Sequence, residues 1–180
     1  MLPVFVSFFT ETYATEAAEL IRTLDAHRLV YDVRSVPGRG SWVRNCAMKS
    51  EFIRDRMLDH PAQPLVWLDS DARVMKSPGL FTDLICDFAA HLKGGSELLS
   101  GTMYFGPTPN AWKLVQAWVA ECQRSPEVWD QKSLQKVLPT IDGLEGIILP
   151  PNYTAIFDAG MCPAGEEVIL HTQASRRLRH

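Results

Sequence analysis

Four consecutive apolar residues, Leu65-Val66-Trp67-Leu68, stand between Pro64 and a charged run that begins at Asp69. The run is too short for a helix and shows no polar alternation, so it reads as a β-strand buried on both faces. A strand covered on both sides needs helices above and below it, which confines the chain to an α/β architecture with a parallel or mixed sheet.

The flanking sequence has the same alternation. Residues 3–9, rich in Val and Phe, predict a first strand; residues 11–24 place Ala14, Ala17, Ala18, Ile21 and Leu24 at helical spacing; residues 29–36 predict a second strand that closes a βαβ unit. Pro37-Gly38-Arg39-Gly40 is a loop, and a helix follows over 46–58 through Met48, Phe52, Ile53 and Met57 until Pro61. Ser77-Pro78 predicts an N-cap and a short helix over 79–88, with a strand at 98–105. An amphipathic helix spans 109–122, with Trp112, Val115, Trp118 and Val119 on one face. Ser125-Pro126 opens a further helix to about residue 138, and late strands are expected at 146–149 and 168–170.

With 180 residues, 46% of them hydrophobic, the chain reads as one domain, residues 1–180, able to build a core without staples. Its formal charge of −3 gives no footprint of a nucleic-acid or membrane-surface binder. Cys46, Cys86, Cys122 and Cys162 form no close pair, which argues against a zinc site or disulfide framework and fits a reducing, cytoplasmic setting. The apolar start, residues 2–9, has no basic flank or cleavage site and is cut by Thr10 and Glu11, so neither a signal peptide nor a membrane span is expected.

Chemistry concentrates where the buried strand ends. Asp69-Ser70-Asp71 delivers two carboxylates, one residue apart, to the carboxyl edge of a sheet, where open α/β sheets bind ligands. Hard oxygen donors at this spacing can share one Mg²⁺ or Mn²⁺, whose shell is commonly completed by phosphate oxygens. Such a pair in isolation reads equally well as solvated loop aspartates. Arg176, Arg177 and Arg179 offer planar, fixed positive charge to a diphosphate, or form a solvated basic tail. Tyr13 and Trp42 offer rings to a uracil or sugar, or pack in the core. Asp130 is a candidate for orienting or activating an acceptor hydroxyl, or a first-turn aspartate favoured by the helix dipole with Gln131 exposed beside it. Lys49 lies in a helix whose polar face would ordinarily meet water.

An ordered series of segments resembles the GT-A nucleotide-diphospho-sugar transferases, particularly short phage and bacterial forms and relatives of glycogenin, over most of the chain. The segments are Thr10-Glu11-Thr12-Tyr13, Lys49 before the Asp69-Ser70-Asp71 strand, Ser100-Gly101-Thr102-Met103-Tyr104-Phe105, Asp130-Gln131, and His171-Thr172-Gln173-Ala174-Ser175-Arg176-Arg177. The resemblance implies a minimal GT-A domain, a Rossmann-like mixed sheet flanked by helices, with a UDP-sugar as donor and Mn²⁺ or Mg²⁺ as cofactor. It implies Asp71 as the principal carboxylate ligand, Asp69 on the metal or ribose, and His171 as the third ligand. It places the base near Thr10 and Tyr13, and the donor against Lys49, Ser70, Ser100, Gly101, Thr102, Gln173, Ser175, Arg176 and Arg177. Asp130 and Gln131 fall on the acceptor side, with Lys49 close to the chemistry. The acceptor is a hydroxyl of unspecified origin; the sugar, the stereochemical course and the oligomeric state are open.

Two rival readings follow from the same residues. A strand ending in two spaced aspartates also resembles the nucleophile motif of haloacid dehalogenase-type phosphohydrolases. Here, however, it follows two earlier strands, Arg73 stands where a small hydroxyl residue is usual, and no Gly-Asp-x-x-x-Asp pair follows. The chain is also short enough to be a nucleotide-sugar-binding module without catalysis.

Overall fold

The computed structural model describes residues 1–178. Six strands form the main sheet: β1 (Val4–Phe9), β2 (Tyr31–Ser35), β3 (Leu65–Leu68), β5 (Phe88–Lys93), β6 (Glu97–Phe105) and β7 (Gly146–Ile148). Their spatial order is β2-β1-β3-β6-β5-β7. β1 pairs parallel with β2 and β3, β6 runs antiparallel to β3 and β5, and β7 is parallel to β5. A small second sheet orders β4 (Ala72–Val74), β9 (Ile169–His171) and β8 (Ala155–Ile156), with β9 in the middle.

The buried β3 divides its side chains between two cores, as its continuous apolar sequence requires. Leu65 and Trp67 join Val4, Val6, Met103 and Phe105 under α2 (Trp42–Asp59), α4 (Pro109–Arg124) and α5 (Asp130–Val137), which supply Ile53, Leu114, Trp118 and Leu134. Val66 and Leu68 face the opposite way, toward Leu20 and Leu24 of α1 (Ala14–Ala26) and toward Ala72, Val74 and Ile169 of the small sheet. Burying a large apolar side chain in this way stabilises by about 1.5–3 kcal/mol each.

Local signals place the helices that matter for the site. Ser41 caps α2, its Oγ accepting from Arg44 N at 3.3 Å, and Thr108 caps α4, accepting from Ala111 N at 3.1 Å before Pro109 in the first turn. α2 thereby starts four residues earlier than the apolar pattern indicates.

Two expectations need correction. The helix over 79–88 shrinks to α3 (Leu80–Asp83), with no side-chain cap at its start, and Phe88-Ala89-Ala90 runs as strand β5. Alanine favours helix locally, but these residues fill the gap between β6 and β7, and tertiary pairing overrides the preference. Asp87 fixes the turn before β5, accepting from Thr108 Oγ1 at 2.6 Å and Glu145 N at 2.7 Å. The helix expected from Ser125-Pro126 begins only at Asp130, because 125–129 is spent in a turn closed by Val128 N to Ser125 O at 3.0 Å. β4 and β8, both very short, carry no sequence signal. Among the described residues no helix is long and apolar enough to cross a membrane, and all four cysteines are free thiols.

Candidate active site

A cavity of about 320 Å³ opens where β1 and β3 end, roofed by the first turns of α2 and α5 and by the chain after β9. This is the carboxyl edge of the parallel strands, the position open α/β sheets give to ligands.

Asp69, Asp71 and His171 meet on its floor, each offering a ligand atom within 4.8 Å of the others. Sequence separation is overcome by the small sheet. β4 follows directly on the aspartates, and its antiparallel pairing sets Ala72 opposite His171, which brings the imidazole beside Asp71 with Nδ1 3.6 Å from Oδ1. The other ring nitrogen, Nε2, is 2.8 Å from the buried Thr102 Oγ1. With Nε2 engaged by Thr102, the ring presents Nδ1 to the floor of the cavity, the orientation that a metal-ligating histidine needs.

Asp71 is tied down by the chain after β9. Its carbonyl accepts from Thr172 N at 3.1 Å, and its Oδ2 accepts from Ala174 N at 2.9 Å. Gln173 adopts a positive φ of 56° to make that turn. Burial pushes the Asp71 carboxyl up, but His171, the Ala174 N–H and Arg73 outweigh it and hold the group below its ordinary range. The carboxylate is therefore charged and aimed.

The donor set fits one divalent cation. Atoms on opposite sides of an ion with bonds of about 2.1 Å stand about 4.2 Å apart, so small side-chain rotations close the observed spacing. Two carboxylates and an imidazole suit Mn²⁺ well and Mg²⁺ acceptably.

Lys49 does not face water. Its ammonium is buried at the centre of a polar network, 2.9 Å from Asp69 Oδ1 and 3.1 Å from Asp130 Oδ2, and it donates to Ser100 O and Oγ at 3.3 Å. Burial alone would lower its pKa, but Asp130 and Asp69 reverse the direction and keep it firmly protonated. Asp69 also accepts from Trp67 Nε1 at 2.9 Å. Asp130 is fully buried at the first position of α5, with the ammonium as charge partner but poorly aligned for a hydrogen bond. Its carboxyl is pushed up by burial, only partly relieved by Lys49. Gln131 is buried as well: its Oε1 accepts from Ser100 N at 3.3 Å and its Nε2 lies 3.5 Å from Glu97 Oε1.

Most residues singled out from the sequence line this one cavity: Thr10, Tyr13, Trp42, Lys49, Asp69, Ser70, Asp71, Ser100, Gly101, Asp130, Gln131, His171, Gln173, Ser175 and Arg176. Two do not. Thr102 sits behind the imidazole rather than on the lining, and Arg177 turns away to pair with Glu16 of α1, which also receives Arg73. Arg176 stays on the lining, paired with Asp158. Arg179 lies outside the described residues.

Asn45, Cys46, Lys93, Glu97, Trp129 and Ile156 also line the cavity and were not anticipated. A helical signal was present for two of them, since Asn45 and Cys46 precede Lys49 by four and three residues and so share its face.

No family model matches the sequence, and no curated protein matches it. Solved structures do match in three dimensions. A glycosyltransferase involved in the glycosylation of the major capsid of PBCV-1 superimposes with a TM-score of 0.77 at 20% identity, over 99% of this chain and 97% of that one. The glycosyltransferase GlyE of Streptococcus pneumoniae TIGR4 gives 0.64 at 14% identity, over 94% of this chain and 54% of its own. Its apo form gives 0.65 at 14%, over 95% and 54%. The present chain thus spans about half the length of the pneumococcal protein. The mixed sheet flanked by helices is the glycosyltransferase fold implied by the GT-A resemblance.

Proposed function

We propose that this chain, as one GT-A domain, transfers a hexose-type sugar from a nucleotide-diphosphate donor, UDP-linked, to a hydroxyl acceptor, with Mn²⁺ or Mg²⁺ as cofactor. The observation that carries the reading is the convergence of Asp69, Asp71 and His171 on one point at the carboxyl edge of the sheet, in a cavity large enough for a ligand. The glycosyltransferase fold supports it.

In this reading Asp69, Asp71 and His171 hold the cation, which when bound supplies positive charge to the diphosphate oxygens as the glycosidic bond breaks. Arg176 adds a second, fixed positive charge on the same lining, matched to a phosphate edge. Thr10 and Tyr13, at the end of β1, take the nucleoside end. Lys49, Ser100 and Gln131 present hydrogen-bonding atoms to the sugar, held in place before it arrives. Asp130, fully buried at the cavity edge, acts as a positioning residue that keeps the Lys49 ammonium charged and in place.

Isothermal titration of UDP with and without Mn²⁺ tests the reading. Binding is expected to require the metal and to vanish in Asp71→Ala. Metal-independent binding of equal strength in both proteins would overturn it.

A further inference from the structure

Building on the sugar-transfer reading, we infer that the acceptor is itself a carbohydrate, seated by one pyranose ring against an aromatic wall formed by Trp129 and Trp42. Trp42 opens α2 and Trp129 immediately precedes α5, and their rings meet with centroids 5.5 Å apart and planes inclined at 56°. This is a corner rather than a stacked pair. Both indoles line the cavity. Trp67 and Trp118 are buried in the core, whereas Trp129 remains 38% exposed even with a second indole beside it. An indole face kept in water at the edge of a binding cavity is apolar surface waiting for a partner.

Its position selects the acceptor over the base. Trp129 is bonded to Asp130, whose carboxylate touches Lys49, which in turn touches Asp69 and Ser100. α5 packs on β6, α2 and α4. The wall therefore adjoins the side of the cavity where Lys49, Ser100 and Gln131 would meet the donor sugar, and Thr10 and Tyr13 belong to the end of β1. An acceptor must lie beside the transferred sugar.

The surrounding chemistry selects the class. A pyranose presents C–H groups on one face and hydroxyls around its rim, so it needs an aromatic face framed by hydrogen-bonding side chains. Asn45, Glu97 and Lys93 supply that frame in the same cavity, and the last two are of opposite charge. A lipid acceptor would need a continuous apolar channel, and an anionic one a surplus of cations. The wall is also preorganised: the Trp129 carbonyl accepts from Lys132 N at 2.9 Å and Ser133 N at 3.1 Å, and the Arg44–Glu127 pair at 3.1 Å links the preceding turn to α2.

The test is saturation-transfer NMR with a panel of methyl hexopyranosides, read on the protein alone and with UDP and Mn²⁺, beside titration of UDP–Mn²⁺ itself. At least one glycoside is expected to bind the wild type through its ring protons. Trp129→Ala is expected to weaken that binding by about ten-fold or more while UDP–Mn²⁺ affinity changes by less than about two-fold. Trp129→Phe, which keeps an aromatic face, should retain most of it, and matched thermal midpoints should show all variants folded. No glycoside binding to the wild type, or equal binding by Trp129→Ala, overturns the inference. A loss of UDP affinity in Trp129→Ala that matches or exceeds the glycoside loss also overturns it, by reassigning the wall to the base. If UDP never shows metal-dependent binding while glycosides still bind at Trp129, the transfer reading falls and the carbohydrate site stands.

Discussion

The His171 imidazole occupies the space that a side chain on Gly101 would need: a β-carbon built there stands 2.9 Å from Cε1 and 3.1 Å from Nδ1. Only hydrogen at position 101 leaves the ring its place beside Asp71. Gly101→Ala is therefore expected to displace the imidazole, costing about 1–3 kcal/mol of stability. Mn²⁺ affinity, read by electron paramagnetic resonance, should fall about ten-fold or more. Unchanged metal affinity would mean that the ring moves aside without loss, or that it is not a ligand.

Thr102 offers a more conservative probe of the same ring. Thr102→Val keeps the volume but strips the hydroxyl that holds Nε2, and an unsatisfied buried group costs about 1–3 kcal/mol. Metal affinity is expected to drop about 10–100-fold and to return in Thr102→Ser. Equal behaviour of the valine and serine variants in a Mn²⁺ titration would exclude this role.

Lys49 neutralises two carboxylates at once. Lys49→Met leaves Asp130 fully buried without a cation, a defect expected to cost about 3–5 kcal/mol in chemical denaturation, with a substantial part restored in Lys49→Met/Asp130→Asn. The pH dependence has a definite sign. The wild-type ammonium, held above its ordinary 10.5, gives its full contribution below that pH and loses it only above. The Asp130 carboxyl is raised above its ordinary 3.8, so the folded variant binds a proton more readily than the unfolded chain. The penalty in Lys49→Met should therefore be largest near neutrality and shrink as the pH is lowered toward the raised Asp130 value.

The two described arginines after β9, Arg176 and Arg177, should separate experimentally. Arg176, on the cavity lining, is paired with the exposed Asp158, whose carboxyl it holds below the usual range. Asp158→Asn frees that guanidinium for phosphate and is expected to raise UDP–Mn²⁺ affinity by up to about five-fold. Arg177 instead pairs with Glu16, which keeps Arg73 when Arg177 is removed. Arg177→Ala should change stability by under about 1 kcal/mol. A larger loss of UDP affinity in Arg177→Ala than in Arg176→Ala, by calorimetry, would reverse the assignment.

The sequence reveals the strands whose burial is continuous and the helices with strong caps, because those signals are local: β3 and α4 fall where Leu65-Val66-Trp67-Leu68 and Thr108-Pro109 put them. What it hides depends on partners far along the chain. Phe88-Ala89-Ala90 looks helical until β6 and β7 flank it. The burial of Lys49 is invisible on its own helix, since the carboxylates that draw it inward come from β3 and α5. Thr102 is pointed toward the donor only by resemblance, and its bond to His171 is hidden because it exists only once β9 pairs with β4. Trp129 carried a readable hint, an aromatic directly before Asp130, but the turn that exposes it follows from a helix starting later than Ser125-Pro126 promises.

The small sheet has a consequence for how the molecule comes to life. Asp71 is anchored by an amide 103 residues further along, just past β9, and the imidazole arrives on β9 itself. During synthesis Asp69 can already meet Lys49, whereas Asp71 waits for its partners on and after β9. An ion bound there as proposed would clip a very long loop, where closure contributes most to holding the chain together. A divalent cation held as proposed would act as a fastener between β9 and the aspartates, and its chelation would loosen that strand before the rest.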